Sequence, residues 1–140
     1  MAAKPLMAHL ATASPDGPRD SPVWFLYEDD RFWLIGTNED SFVERLQAEP
    51  RCALGMVDFD AAAGILRHVG VRGSAIVGPM QPDRLKRLLG RYLGPDDKTW
   101  NAWFHANVVE PLDVLIEITP TSTVCKDVSF FRTGPALASR

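Results

Sequence analysis

The segment from Ser21 to Pro50 constrains the fold most, because it joins two strand-like runs to the start of a helix. The runs Val23 to Tyr27 and Arg31 to Thr37 follow the period of two that β-strands require. The acidic residues between them favour a turn, so the two runs are predicted to form a β-hairpin. Both faces of each run are apolar or aromatic, which indicates a sheet that is covered on both sides.

A helix is predicted directly after the second strand of this hairpin. Thr37 or Asn38 can cap its start, the two acidic residues that follow complement its positive end, and Pro50 ends it. The turn offers backbone amides and the hydroxyl of Ser41 beside a helix start. Such an arrangement is a reasonable place for a phosphate group.

Composition and charge describe one globular domain over residues 1–140, since 46% of the residues are hydrophobic and 24% are charged. A net charge of -3 without a basic run argues against nucleic acid as a partner. No apolar run approaches the roughly 18 residues of a membrane span, and no signal peptide is apparent. A cytoplasmic protein is therefore expected, with Cys52 and Cys125 as two buried free thiols.

The rest of the chain is read as further strands and a few helices. The clearest helix runs from Pro82 to Leu93, with leucines at helical spacing. The other predicted strands are His9–Ala13, Cys52–Phe59, Leu66–Gly78, Leu112–Ile118 and a continuation from Val124 to Phe131. Six or so antiparallel strands with a few helices give a mainly β (α+β) fold, a small barrel.

Several kinds of catalytic machinery are absent from the sequence. There is no phosphate-binding P-loop, no dinucleotide fingerprint after a strand, and no serine in a nucleophile elbow. His9, His68 and His105 are scattered, so no metal site is predicted. Chemistry in this protein would then be carried by a cofactor rather than by a protein nucleophile.

The order of short segments along the chain resembles a known family. These segments are HLATASPDG, PVWF, LIGTNEDS, AEPR, VGVRGSAIV and VLIEITPTSTV. From Ala8 to Val124 the chain is similar to the pyridoxamine phosphate oxidase-like, FMN-binding split-barrel flavoproteins. The resemblance implies a six-stranded antiparallel split β-barrel that forms a homodimer, with flavin sites between the subunits. It also implies FMN, or 8-hydroxy-deazaflavin in some branches, and a small-molecule substrate.

The resemblance also implies a set of cofactor-binding positions and leaves the catalytic residues unknown. The phosphate of the cofactor would lie near Arg19, Thr37, Asn38 and Ser41. The isoalloxazine ring would lie along the strand that contains Ser21, Val23 and Trp24. Two further residues, His68 and Arg72, would approach the ring from the side.

One position departs from the family pattern. Members commonly carry a phosphate-binding lysine two residues after the serine, and here Phe42 or Val43 takes that place. Asp40 and Glu44 add negative charge nearby, so Arg45 or Arg19 would have to replace the lysine. The missing lysine favours a non-catalytic dimer that binds flavin or haem, whereas the retained turn favours an FMN-dependent oxidoreductase or a deazaflavin-dependent reductase.

A homodimer is also expected from the hairpin itself. Its strands carry more large apolar side chains than one small barrel can enclose, namely Trp24, Phe25, Leu26, Phe32, Trp33, Leu34 and Ile35. A two-fold interface is the simplest cover for such a surface.

Overall fold

The computed structural model describes residues 4–104 and 114–129, which form one antiparallel sheet of seven strands with helices against it. The strands are β1 Ala8–Thr12, β2 Arg19–Val23, β3 Leu26–Glu28, β4 Arg31–Gly36, β5 Arg51–Asp60, β6 Ile65–Pro79 and β7 Val114–Asp127. The helices are α1 Ser41–Ala48, α2 Pro82–Leu93 and a short 3-10 helix, Asp97–Thr99. The strand order across the sheet is β2-β1-β5-β6-β7-β4-β3.

The prediction of six strands is wrong because the first strand of the predicted hairpin is two strands. β2 pairs with β1 at one edge of the sheet, whereas β3 pairs with β4 at the opposite edge. Only Trp24 and Phe25 separate β2 from β3, so the two edges of the sheet must come together and the sheet curls into a half-barrel. The backbone N–H of Phe25 donates to the hydroxyl of Tyr92 at 3.0 Å instead of to a neighbouring strand.

The main core fills the inside of this curled sheet. Leu10, Phe25, Leu34 and Ile116 are fully buried there, and α1 closes the core with its own apolar face. Gly36 permits this packing, because a Cβ atom at that position would lie 2.6 Å from Cγ2 of Val43. The helix therefore rests directly on the end of β4.

A second apolar cluster lies under α2, on the other side of the hairpin. Leu85, Leu88 and Leu89 of that helix pack with Leu26 and Trp33. The large hairpin side chains are thus covered mostly by the chain's own elements. The homodimer was predicted because these side chains were expected to be too many for one barrel to cover, and that reason is wrong.

Part of the exposed apolar surface lies on the outer face of the sheet. Val57, Phe59 and Val124 are exposed by 48%, 61% and 51%, and all three are on β5 or β7. Within residues 4–104 and 114–129, β7 pairs with β4 only as far as Ile118, and beyond Ile118 it pairs with β6 alone. Among the residues described, no helix is long and apolar enough to cross a bilayer.

Candidate functional site

A guanidinium group joins α1 to the hairpin of β1 and β2. Nε of Arg45 donates to the hydroxyl of Thr12 at 2.7 Å, and Nη2 of Arg45 lies 3.4 Å from the hydroxyl of Ser21. Arg45 is one helical turn beyond the start of α1, and this position directs it toward β1 and β2. Thr12 is only 3% exposed, so this contact fixes the arginine at a protected position.

A second arginine lies beside the same threonine. Arg19 is the cross-strand partner of Thr12, and directly opposite residues of an antiparallel pair place their side chains on one face. Within residues 4–104 and 114–129, neither Arg19 nor Arg45 forms an ion pair with a carboxylate. Two guanidinium groups and two hydroxyls without an acidic partner can hold an anion such as a phosphate.

The turn before α1 is acidic, unlike the site around Arg19 and Arg45. The residue that precedes the helix is Asp40, rather than Thr37 or Asn38 as predicted, and its side chain does not cap the helix. Instead, its carboxylate accepts the backbone N–H of Thr37 at 2.7 Å. Glu39 and Glu44 add two more carboxylates, and residues 37–44 contain no lysine or arginine. A phosphate at this turn would meet an amide that is already occupied and an excess of negative charge.

The ring of Trp24 leaves the sheet at the break between β2 and β3. It stacks on Tyr92 at a centroid distance of 4.5 Å and on Phe104 at 5.7 Å. Trp24 and Thr37 both line a cavity of about 180 Å³ whose other walls are mainly apolar. These two predicted residues are therefore brought together by the fold.

His68 and Arg72 lie elsewhere, on the outer face of the sheet. They line a shallow trough of about 580 Å³ with Gly55 and Gly70 in its floor. The imidazole of His68 leans over Gly70, where a Cβ atom would come within 3.3 Å of its Cε1. Both side chains are exposed.

Trp24 and Thr37 line the cavity described above, and the other predicted residues fall into three further groups, so a single chain does not bring them all together. Arg19 and Ser21 share the face of β2 that meets Arg45, whereas the side chain of Val23 is buried in the core. Asn38 and Ser41 are exposed at the start of α1. The outer trough with His68 and Arg72 is the third group. Sequence reasoning missed Thr12 and named Arg45 only as a substitute. The alternation of β1 would place Thr12 with the buried Ala8 and Leu10.

Comparison with known families decides where the chain belongs. The family model described as pyridoxamine 5′-phosphate oxidase matches residues 2–124. The chain belongs to the pyridoxamine 5′-phosphate oxidase family. The resemblance read from the order of sequence segments is thereby confirmed. Comparison with curated proteins finds no match.

Solved structures of the family's fold are similar over most of the chain. A structure titled F420 reductase is 27% identical, with a TM-score of 0.66, over 87% of this chain and 91% of the other. A conserved hypothetical protein from Mycobacterium tuberculosis is 25% identical, with a TM-score of 0.69, over 89% and 79% of the two chains. An FAD-binding protein from Mesorhizobium loti is 18% identical, with a TM-score of 0.62, over 87% and 84%. At 18% identity, the similarity to the FAD-binding protein shows a shared fold only.

Proposed function

We propose that this protein is a flavin-dependent oxidoreductase that holds the phosphate of FMN between Arg19, Ser21 and Arg45. The observation that carries the proposal is the pair of arginines around Thr12, neither of which has a carboxylate partner in the part of the chain that the structure describes. Guanidinium groups bind phosphate through short, charge-assisted hydrogen bonds. They would supply the positive charge that the lysine supplies in other members of the family.

The isoalloxazine ring is proposed to lie along β2. Among the described strands β2 is at the edge of the sheet and pairs only with β1, so every second residue of β2 turns its backbone polar groups away from the sheet. Such groups can hydrogen-bond the polar edge of a flavin, while Trp24 stands at the end of the strand. A bound flavin supplies two-electron redox chemistry, and the chain supplies the position and the exclusion of water.

The proposal includes a homodimer. His68 and Arg72 lie on the outer face of the sheet, whereas Thr37 and Trp24 line a different cavity, so these two groups of predicted cofactor-binding residues do not meet within one chain. One cofactor can contact both groups if the trough of one subunit faces β2 of its partner. The apolar side chains beside the trough would be covered in the same contact.

A deazaflavin is the second candidate cofactor. The likeness to an F420 reductase, at 27% identity over most of both chains, is the observation that favours it. Arg19 and Arg45 would hold the phosphate of a phosphorylated deazaflavin as they would hold that of FMN. A protein that binds a flavin without turnover would show affinity for the cofactor but no reduction of a substrate.

The test is a titration of the purified protein with FMN, riboflavin and 8-hydroxy-deazaflavin, followed by calorimetry. We expect Arg19→Ala or Arg45→Gln to weaken FMN binding about tenfold or more, since a hydrogen bond to a charged group contributes roughly 1.5–3 kcal/mol. Riboflavin, which lacks the phosphate, should bind these variants as it binds the unaltered protein. Lys98→Ala is the matched control, because this exposed cation lies on the short 3-10 helix.

A further variant locates the phosphate. Phe42 is half-buried, whereas Val43 is only 2% exposed, so Phe42→Lys is the substitution that can present an ammonium group near the turn. No gain in FMN affinity is expected from it if the phosphate lies at Arg45. A gain that salt diminishes would move the phosphate to the turn. Unchanged FMN affinity in both arginine variants would remove the proposed phosphate site.

A further inference from the structure

The turn before α1 forms one wall of a cavity that differs in chemistry from a phosphate site. The cavity of about 180 Å³ is walled by aromatic and aliphatic side chains, including Trp24, Trp103, Phe104 and Leu89. Among the described residues that line it, Asp40 is the one ionisable side chain. An apolar cavity of about 150 Å³ can hold benzene, so this one accommodates a single ring with a small substituent.

The carboxylate of Asp40 is held in place from within the protein. One of its oxygens accepts the N–H of Thr37 at 2.7 Å, and its own backbone N–H donates to the carbonyl of Thr37 at 3.0 Å. This closed turn fixes the side chain at the edge of the cavity. A carboxylate accepts several hydrogen bonds, so the second oxygen of Asp40 retains acceptor capacity for a ligand.

The sequence on either side of Asp40 is acidic. Glu39 and Glu44 lie close to Asp40 in the sequence, and no lysine or arginine is among the described residues that line the cavity. The aromatic side chains of the cavity also favour a cation, because the faces of tryptophan and phenylalanine rings attract positive charge. Trp103 lines the cavity, is 64% exposed overall, and packs edge to face on Phe104 with 4.9 Å between the ring centroids.

We propose that this cavity binds a small planar organic cation, such as an aryl amidinium or a pyridinium, with Asp40 as its counter-ion. The binding does not depend on a cofactor. That the cation is the substrate to be reduced or oxidised rests on the proposed function, since the cavity adjoins Trp24 at the end of β2.

The test compares three ligands of nearly identical shape: benzamidinium, benzamide and benzoate. They are titrated into the protein as purified, without added flavin, and followed by calorimetry and by the indole N–H signals in NMR spectra. We expect benzamidinium to bind about tenfold more tightly than neutral benzamide, because one charge-assisted contact is added. Benzoate should bind more weakly than both. The indole signals of Trp24 and Trp103 should move.

The other two tryptophans of the chain are internal controls. Nε1 of Trp33 donates to the carbonyl of Glu28, and Nε1 of Trp100 donates to the carbonyl of Gly94. Neither residue lines the cavity, so their signals should stay in place. Movement of all four signals would indicate non-specific binding and would overturn the proposal.

Two variants separate direct contact from general charge. Asp40→Asn keeps an oxygen that can accept the N–H of Thr37, so the turn should persist and the melting temperature should change little. This variant should bind benzamidinium no better than benzamide. Glu39→Gln removes the same charge from the neighbouring exposed position and should retain most of the preference. Equal affinity for the cation and the amide in the unaltered protein, or an unchanged preference in Asp40→Asn, would refute the site. Neither result bears on whether FMN binds at Arg19 and Arg45.

Discussion

At the scale of single residues, the two cysteines differ in exposure because their surroundings differ. Both are free; Cys52 is half-buried, whereas Cys125 is exposed, so the prediction of two buried thiols holds only in part. Burial raises the pKa of the Cys52 thiol from 9.0 to about 11. Cys125 is exposed because β4 no longer accompanies β7 beyond Ile118. A hydrophobic run in a sequence does not reveal where a neighbouring strand ends.

The thiols should therefore react at different rates with an aromatic disulfide reagent. The thiolate is the reacting form of a cysteine. With its pKa raised from 9.0 to about 11, Cys52 has about a hundredfold less thiolate at pH 8 than a thiol with the ordinary value. We expect one fast phase from Cys125 and one slow phase from Cys52, measured by release of the coloured thiol. The slow phase should accelerate as the pH rises toward 11. In Cys125→Ser the fast phase should vanish. A fast phase that survives in that variant would contradict the assignment.

At the scale of elements, the turn between β3 and β4 uses two aspartates in an unfavourable backbone conformation. Asp29 and Asp30 have φ angles of 56° and 58°, the left-handed region that a two-residue hairpin turn requires at both positions. Two arginines of α2 hold this turn: Arg84 pairs with Glu28 and Asp29, and Arg87 pairs with Glu28. The helix thus compensates for turn residues other than glycine.

Asp30→Gly should stabilise the protein. A left-handed residue other than glycine costs roughly 1 kcal/mol, so the substitution should raise the melting temperature by about 3 °C. Asp29→Gly is the matched control, because it relieves the same backbone strain but also removes the 3.2 Å ion pair with Arg84. The gain at residue 29 should be smaller. A melting temperature that falls in Asp30→Gly would show that the aspartate stabilises the turn through its side chain.

Elements with strong local signals were predictable, and those set by distant neighbours were not. Pro82 and Leu93 bound α2 as predicted, because the leucine spacing and the flanking proline and glycine are local signals. The break at Trp24 and Phe25 was missed because alternation continues through it, and only the curl of the sheet requires it. The position of Asp40 against Thr37 was likewise set by three-dimensional turn geometry rather than by residue type.

At the scale of the whole molecule, the outer face of the sheet is where we expect a second copy to bind. Val57, Phe59 and Val124 surround His68 there, according to the pairing of β5, β6 and β7. We expect Val57→Arg to yield a monomer in sedimentation experiments at micromolar concentration, and to lower FMN affinity if the trough completes the site. Tyr27→Arg, at an exposed position on the hairpin, is the control and should leave the dimer intact. A stable monomer of the unaltered protein would refute the dimer itself.

The strand order has a consequence for the nascent chain. In the described sheet, β7 is the strand that pairs with both β6 and β4, so it joins strands β2, β1, β5 and β6 to strands β4 and β3 through hydrogen bonds. It is also the last strand in the described sequence. Until the ribosome has delivered β7, Phe32 and Leu34 on β4 lack the partners Ile118 and Ile116 that cover them in the barrel. Pairings between distant parts of a chain form slowly, and an unpaired apolar strand edge promotes aggregation. During translation, the hairpin of β3 and β4 therefore keeps an unpaired apolar edge until β7 has been made and pairs with it.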